Sequence, residues 1–357
     1  MAEKTTITTV AQHARVSRQT VSNVLNAPHL VRVETRVRVL ASIEELGYRA
    51  NQAARQMRTG RSRLIAVRIE PARDGINGSV LDRFLHGLTE TASAAGYRIV
   101  LYTAADDEGE VATYGDLLGS YDLDAFVLTS THHGDIRTAW LAGRGVPFVT
   151  FGRPWGSTET PAGRSGPGAS PRHHPWVDVD GAAGTAAATR HLLAAGHHRI
   201  AFIGWPEGSG VGDDRRAGWR AAIREAGLDP AGLHLGTSDG VAEGERAARD
   251  LLALPDPPTA FVCASDSLGL GARQASKPDG GQPAVTGFDD TAVAQATGMT
   301  SVSQPLAEAA GRCVQLLTRV LDSDRAIDSD RAFDSDRVPD AAEQILLTPR
   351  LVVRSSG

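Results

Sequence analysis

Apolar positions near the start of the chain recur at helical spacing, in three short runs separated by polar turns. Val10, Ala11 and Ala14 can face Val21, Val24 and Leu25 at i, i+3, i+4 intervals, and Val33, Val37, Leu40 and Ala41 predict one apolar stripe on a third helix. Ser17 is placed to cap the second helix, whose first side chains are Arg18 and Gln19. Two short helices around a tight turn, followed by a third, form a helix-turn-helix, and arginine and glutamine at the start of its second helix are side-chain types that pair with base edges in a major groove.

From Leu64 the pattern changes to short apolar runs alternating with amphipathic helical stretches. Candidate strands are Leu64–Ile69, Tyr97–Tyr102, Ala125–Leu128, Pro147–Phe151, Arg199–Ile203, Ala260–Cys263 and Ala284–Gly287. Helical stretches between them include Leu81–Ala94, Gly181–Ala195, Arg215–Ala226 and Leu268–Ala275. Such alternation predicts parallel sheets covered on both faces, with ligands at the carboxyl ends of strands in a cleft. Two segments depart from the pattern. Pro154–Pro175 is rich in Gly, Pro and Ser and is read as a long loop where the chain passes between two lobes. A six-residue repeat, Leu321-Asp-Ser-Asp-Arg-Ala, Ile327-Asp-Ser-Asp-Arg-Ala and Phe333-Asp-Ser-Asp-Arg-Val, lacks calcium-loop spacing and is read as a solvated expanded loop.

Charge divides the chain. Residues 1–63 hold 11 Lys+Arg against 4 Asp+Glu, a net of +7; the remainder holds 26 against 38, a net of −12. A basic head on an acidic body is the electrostatic footprint of a phosphate-binding module. The 357 residues suit a small module and a larger two-lobed body. No apolar run has the length of a signal peptide or a membrane span, which predicts a cytoplasmic, nucleoid-associated protein without a membrane partner. The two cysteines, Cys263 and Cys313, fall in apolar runs and read as buried small hydrophobes; no disulfide, metal site or cofactor is expected.

The order of motifs resembles the lac repressor family of bacterial regulators. The resemblance is carried by Val-Ser-Arg-Gln-Thr-Val-Ser-Asn-Val-Leu-Asn (residues 16–26), Thr35-Arg-Val-Arg-Val, Leu46-Gly-Tyr and Asn51-Gln-Ala-Ala-Arg-Gln-Met-Arg-Thr-Gly-Arg. In the body it continues through Val146-Pro-Phe-Val-Thr-Phe-Gly-Arg, Val177-Asp-Val-Asp-Gly, Arg215-Arg-Ala-Gly-Trp, Cys263-Ala-Ser-Asp, Gly287-Phe-Asp-Asp and Leu351-Val-Val-Arg-Ser. It implies an all-α helix-turn-helix headpiece joined to an α/β body of two parallel-sheet lobes resembling periplasmic sugar-binding proteins. The expected divisions are a headpiece at 1–50, a hinge helix and linker at 51–63, and an effector and dimerisation domain at 64–357. Within that domain, an N-lobe is expected at about 64–154 and 290–318, and a C-lobe at about 177–288 and 319–357.

The resemblance further implies a homodimer reading a pseudo-palindromic operator in double-stranded DNA and answering to a small-molecule effector. By position, Arg18, Gln19 and Asn23 match the base-reading side chains, with Ser17, Thr20 and Ser22 placed for phosphate contacts. Asn51–Thr59 matches the hinge helix, too short to be stable alone, so that its folding is tied to operator binding. There Met57 takes the place of a leucine wedge between base pairs, and Arg55 can enter the minor groove. Arg15 stands where the family usually has glycine at positive φ, and is an extra phosphate-contact candidate; Ala50 stands where proline usually precedes the hinge.

For the effector, Arg215 and Asp289 match an arginine and an acidic partner that grip ligands in the family. A guanidinium fork facing a carboxylate suits a polyhydroxylated ligand, whose hydroxyls both donate and accept. Ser265 and Asp266 are placed either to touch ligand or to cap the next helix, and Arg153 is a further candidate. Of Trp155, Trp176, Trp205 and Trp219, at most two are expected at the ligand, with Trp219 in the core. The expected function is a regulator, foremost a repressor released by a sugar or glycoside. A purine- or nucleoside-responsive regulator and an activator are the alternatives, and a solute-binding protein stands below them because it has no use for a basic head. No catalytic residue is predicted: Gly208-Ser-Gly-Val-Gly lacks the spacing of a nucleotide-binding loop, and the adjacent histidine pairs lack metal-ligand spacing.

Overall fold

The computed structural model describes residues 5–48, 60–70, 76, 78–155, 174–275, 281–329 and 343–357. They form two compact units, Met1–Ser62 and Arg63–Gly357. Asn51, Arg55 and Met57 lie outside the described residues.

The first unit holds α1 (Ile7–His13), α2 (Arg18–Asn26) and α3 (Val33–Glu45). Thr6 caps α1 and Ser17 caps α2, the Ser17 hydroxyl accepting from the Thr20 N–H at 3.0 Å. Between them Arg15 adopts φ +50°, the left-handed turn its position requires, and Val16 N–H donates back to the Ala11 carbonyl. Val10, Ala11, Ala14, Val21, Val24 and Val39 close the core. The expected stripe on α3 is corrected: Val33, Val37 and Leu40 are 64%, 60% and 48% exposed, and Ala41 is exposed as well. The opposite stripe, Val39, Ser42, Ile43 and Leu46, packs inward. Both stripes have helical spacing, and Ser42 belongs inside because its hydroxyl donates to the Arg38 carbonyl and pairs with His13 Nδ1. Leu25, also expected in the core, is 37% exposed.

The second unit is built on two six-stranded sheets. The first contains β1 (Leu64–Arg68), β2 (Arg98–Tyr102), β3 (Ala125–Leu128), β4 (Phe148–Phe151), β5 (Trp176–Val179) and β11 (Gln344–Leu347), in the order β11-β5-β4-β3-β1-β2, all parallel. The second contains β6 (Ile200–Gly204), β7 (His234–Gly236), β8 (Ala260–Cys263), β9 (Ala284–Phe288), β10 (Thr300–Ser303) and β12 (Arg350–Val352), in the order β12-β10-β9-β8-β6-β7. It is parallel except for the edge strand β12, antiparallel to β10.

The helices α4 (Gly78–Ala94), α5 (Asp107–Tyr121) and α6 (Ile136–Gly143) follow β1, β2 and β3. Then come α7 (Gly181–Ala194), α8 (Val211–Glu225), α9 (Val241–Leu252), α10 (Asp266–Gln274), α11 (Ala292–Ala296) and α12 (Leu306–Ser329). Central strands such as β3, β6 and β8 are buried at every position, which is why they read as unbroken apolar runs.

The lobe assignments from sequence are corrected in three places. Trp176–Val179 pairs with β4 and belongs to the first sheet, so the segment starting at Pro154 joins neighbouring strands of one lobe and the crossing comes after Val179. Thr300–Ser303 lies in the second sheet, and α12 then returns to pack Ala309, Cys313, Leu317 and Leu321 on the first. Gln344–Leu347 is in the first sheet and Arg350–Val352 in the second. Linear division fails because the chain crosses three times, and three crossings put two site residues, Asp178 and Gln304, beside the connections. The repeat is corrected also: its first copy and the start of its second, through Ser329, continue α12, with Leu321 buried against the first sheet. Aspartate and serine are weak but tolerated helix residues, and the anchored apolar face upstream propagates the helix through them.

Candidate DNA-reading face and effector site

On the first unit, Ser17, Arg18 and Gln19 are exposed at the N-terminal end of α2, with Thr20, Ser22 and Asn23 half-buried beside them. Gln19 Nε2 donates to Asn23 Oδ1 at 2.9 Å, a one-turn pair that holds both amides on the same face. The Ser17 and Thr20 hydroxyls stand 2.9 Å apart. Arg15, exposed, lines with His13, Ala14 and Arg38 a shallow recess of about 350 Å³, while Arg38 Nε donates to the Ala14 carbonyl. These groups offer donors and acceptors suited to base edges and cations suited to phosphates.

In the second unit, α8 supplies Arg215, 6% exposed. Its Nη1 donates to the Ala264 carbonyl at 2.5 Å, and its guanidinium lies 3.7 Å from the centre of the Phe288 ring and 5.1 Å from that of Trp205. Asp289 Oδ1 is 3.9 Å from Arg215 Nη2 and accepts from Gln304 Nε2 at 2.6 Å. The ion pair is therefore loose, and Arg215 Nε is buried without a hydrogen-bond partner. Burial pushes the Asp289 carboxyl up to about 7, Arg215 opposing it, and pulls the Arg215 guanidinium below its ordinary value. Two buried charges that only partly satisfy each other are costly to the fold, which marks the pair as a candidate binding site.

Asp289 and Asp290 stand at φ +106° and +48°, backbone conformations costly for residues with a Cβ. They are held there from several sides. Asp290 N–H donates to Ser301 Oγ, Arg354 Nη2 donates to Asp290 Oδ1 at 2.6 Å, and Arg83 Nη1 on α4 donates to the Asp289 carbonyl at 3.1 Å. Asp266 belongs to this scaffold: fully buried, its carboxylate accepts from the Thr291 N–H at 2.7 Å and the Ser301 hydroxyl at 2.6 Å. Ser265 caps α10, accepting from the Leu268 N–H, and donates to Asp239 at 2.5 Å. Of the two readings open for these residues, the hydrogen bonds match the structural one.

Arg153, in the segment after β4, is engaged by both lobes. Its Nε meets Asp178 Oδ2 at 2.6 Å at the end of β5, and its Nη2 meets Asp214 Oδ2 at 3.2 Å on α8. Its guanidinium lies 4.8 Å from the Trp155 ring centre. Trp155 in turn packs against Gly210, where a Cβ would fall 2.5 Å from the indole; Gly210 also needs its φ of +68°. Trp219 is fully buried and donates to the Ile200 carbonyl, as expected of a core residue. The glycine-rich loop before α8 is no phosphate cradle, because Asp213 Oδ2 already accepts from the N–H groups of Gly208 and Gly210.

Sequence reasoning missed Asp178, Asp214, Asp239, Gln304 and Arg83. Asp178 and Asp214 stood inside or beside recognisable motifs, but as single carboxylates among many they carried no distinguishing pattern. Gln304 and Arg83 have no local signal, since each acts by reaching Asp289 from a distant part of the chain.

A helix-turn-helix with exposed polar side chains on α2, and a two-lobed α/β body with a charged, ligand-ready cluster between its sheets, define a class of DNA-binding regulator with a solute-receptor body. The chain belongs to the lacI family of bacterial regulatory proteins, whose DNA-binding profile matches residues 6–51; the profile for periplasmic binding proteins and the sugar binding domain of the LacI family matches residues 79–310. It is 35% identical over 270 residues to the HTH-type transcriptional regulator AglR of Rhizobium meliloti (strain 1021), covering 74% of this chain and 71% of that one. It is 33% identical over 313 residues to the HTH-type transcriptional regulator CelR of Thermobifida fusca, covering 84% and 87%. A solved CelR-cellobiose complex superposes with a TM-score of 0.68 at 29% identity, covering 99% of this chain and 100% of that one. These relatives are transcriptional regulators and not enzymes. Among the described residues no helix is long and apolar enough to cross a membrane.

Proposed function

We propose that the protein is a homodimeric repressor that binds a pseudo-palindromic operator and is released by a sugar or glycoside. The observation that carries the effector class is the loose Arg215–Asp289 pair, with its unpartnered Nε, set beside the Trp205 indole. A ligand rich in hydroxyls supplies the acceptor that Nε lacks and the donors that Asp289 takes, while its apolar ring face rests on an indole. The cellobiose complex of CelR supports the same class. Arg15, Ser17, Arg18, Gln19, Thr20, Ser22 and Asn23 form the proposed operator-reading set, with Asn51, Arg55 and Met57 proposed for the minor groove. Effector binding at Arg215 and Asp289 changes the geometry between the lobes and thereby the spacing of the two hinge segments; a differential of a few kcal/mol suffices for a response.

The test is selection of bound duplexes from a random-sequence pool by the full-length protein, repeated with sugars, glycosides and purines. A palindrome enriched without ligand and lost with one sugar or glycoside is the expected result. Loss with a purine alone overturns the effector class; a palindrome that appears only with ligand overturns the mode of release; absence of any palindrome overturns operator recognition. In the same assay Arg215→Ala retains the palindrome and abolishes the ligand response.

A further inference from the structure

Half of the large exposed apolar side chains among the described residues belong to the small first unit: Leu25, Leu30, Val33, Val37 and Leu40. Val33, Val37, Leu40 and Ala41 recur at i, i+4, i+7 and i+8 along α3 and form one stripe on the face turned away from the core, with Leu30 just ahead of it. Three exposed glutamates lie within a turn of that stripe: Glu34 three residues before Val37, Glu44 four after Leu40 and Glu45 four after Ala41. From Tyr48 the chain continues into residues 49–59, outside the described residues. Their sequence holds Arg49, Arg55 and Arg58 and no acidic residue, and it places Ala50, Ala53, Ala54 and Met57 at i, i+3, i+4 and i+7.

We propose that, without operator, residues 50–57 dock on the α3 stripe of their own chain, with Ala50, Ala53, Ala54 and Met57 against Val33, Val37 and Leu40 and the arginines beside the three glutamates. Both partners have apolar positions of helical period, and the charges at their edges are opposite in sign. Their lengths agree: as a helix residues 50–57 span about 10 Å, and Val33 to Ala41 span about 12 Å. The segment begins within five residues of the end of α3, so it meets the stripe at an effective concentration on the order of millimolar, with no second molecule to recruit. A second copy of α3 loses that advantage and brings the same glutamates, and those glutamates repel the phosphates of DNA from this face. Docking and operator binding then compete for one segment, and apparent operator affinity is lowered in proportion to the fraction left undocked. That consequence, unlike the docking itself, rests on the reading of Asn51, Arg55 and Met57 as operator contacts.

The experiment is hydrogen exchange of peptides covering residues 49–59 in the DNA-free full-length protein and in its Val37→Gln/Leu40→Gln variant, which keeps the charge and alters only exposed positions of α3. Exchange is expected to be about tenfold faster in the variant, the change produced by freeing a segment that is docked about nine-tenths of the time. Equal exchange overturns the docking. The occupant is identified with Val37→Cys/Ala53→Cys treated with a short bis-maleimide, since the native Cys263 and Cys313 are buried. A bridge within one chain is expected; a covalent dimer assigns the stripe to a second copy and overturns the proposal, as does the absence of any bridge. The Val37→Gln/Leu40→Gln variant is also expected to bind the selected operator about tenfold more tightly. Faster exchange with unchanged operator affinity leaves the docking standing and overturns the reading of the segment as an operator contact. Unfolding midpoints, measured on each variant, separate loss of the contact from loss of the fold.

Discussion

Arg15 carries two opposed roles in one side chain. A residue with a Cβ at φ +50° costs about 1 kcal/mol in the turn, while its cation stands in a basic recess beside His13 and Arg38. Arg15→Gly is therefore expected to raise hydrogen-exchange protection of the Val10, Val21 and Val39 amides in the full-length protein by up to about 1 kcal/mol. The same variant is expected to make the dependence of log affinity on log salt shallower by about one, the loss of one phosphate contact. Unchanged protection disproves turn strain, and an unchanged slope disproves the contact.

Asp289 gives a pH dependence whose sign follows from burial. In the folded chain its carboxyl keeps a proton up to about 7, whereas its ordinary value is 3.8, so the folded state binds more protons between those limits. Stability then falls as pH rises across that window, and the cost is complete above it. Asp266, raised by burial to about 6, contributes the same sign over a narrower range. In denaturant titrations between pH 4 and 8, Asp289→Asn is expected to remain destabilised less by rising pH than the parent; equal slopes would show that Asp289 is ionised throughout. Sequence named Asp289 as a candidate, but its protonation is set first by burial, which raises it, and then by Arg215 and Gln304, which oppose that rise, and Asp266, which adds to it, all reaching it from other segments.

At the scale of elements, the closeness of helix crossings is set by glycine. A Cβ at Gly218 on α8 would lie 2.0 Å from the Ala182 carbonyl oxygen and 2.5 Å from Thr185 Oγ1 on α7, backbone and buried side chain that cannot both yield. Gly218→Ala is expected to cost about 2–3 kcal/mol through overpacking, read from the denaturant midpoint of the body. Gly119, inside α5 with nothing within 4 Å, provides the contrast: Gly119→Ala is expected to gain about 0.5–1 kcal/mol from chain entropy alone. A neutral Gly218→Ala disproves the close crossing. Nothing in the sequence separates these two glycines, since the difference is the partner helix. Similarly, two stripes of helical period ran along α3, and periodicity has no means of choosing between them; the inward stripe is the one whose Val39, Ile43 and Leu46 pack with α1 and α2 and whose Ser42 pairs with His13.

For the whole molecule, charge separation implies that its two binding functions respond differently to salt. The first 63 residues carry a net +7 and the remainder −12, so the proposed operator binding depends on counterion release while the proposed effector binding depends on local hydrogen bonds. Raising salt from about 50 to 200 mM is expected to lower operator affinity by roughly a thousandfold, for about six phosphate contacts, and to leave sugar affinity within about twofold. Filter binding and calorimetry on one preparation check both, and parallel losses would place sugar recognition in long-range charge.

By itself the sequence determined what depends on neighbours along the chain: the helix-turn-helix with its Ser17 cap and strained Arg15, the alternation of buried strands and helices, and Arg215 and Asp289 as the charged pair. These are local patterns, and local sterics, capping and periodicity suffice to specify them. The tertiary structure alone decided which lobe received β5, β10 and α12, which face of α3 turned inward, and how Arg153, Trp155, Asp178 and Gln304 joined the site. The three crossings bring together residues far apart in sequence, and the energy of burying an unpaired charge depends on what arrives from elsewhere, which no local pattern encodes.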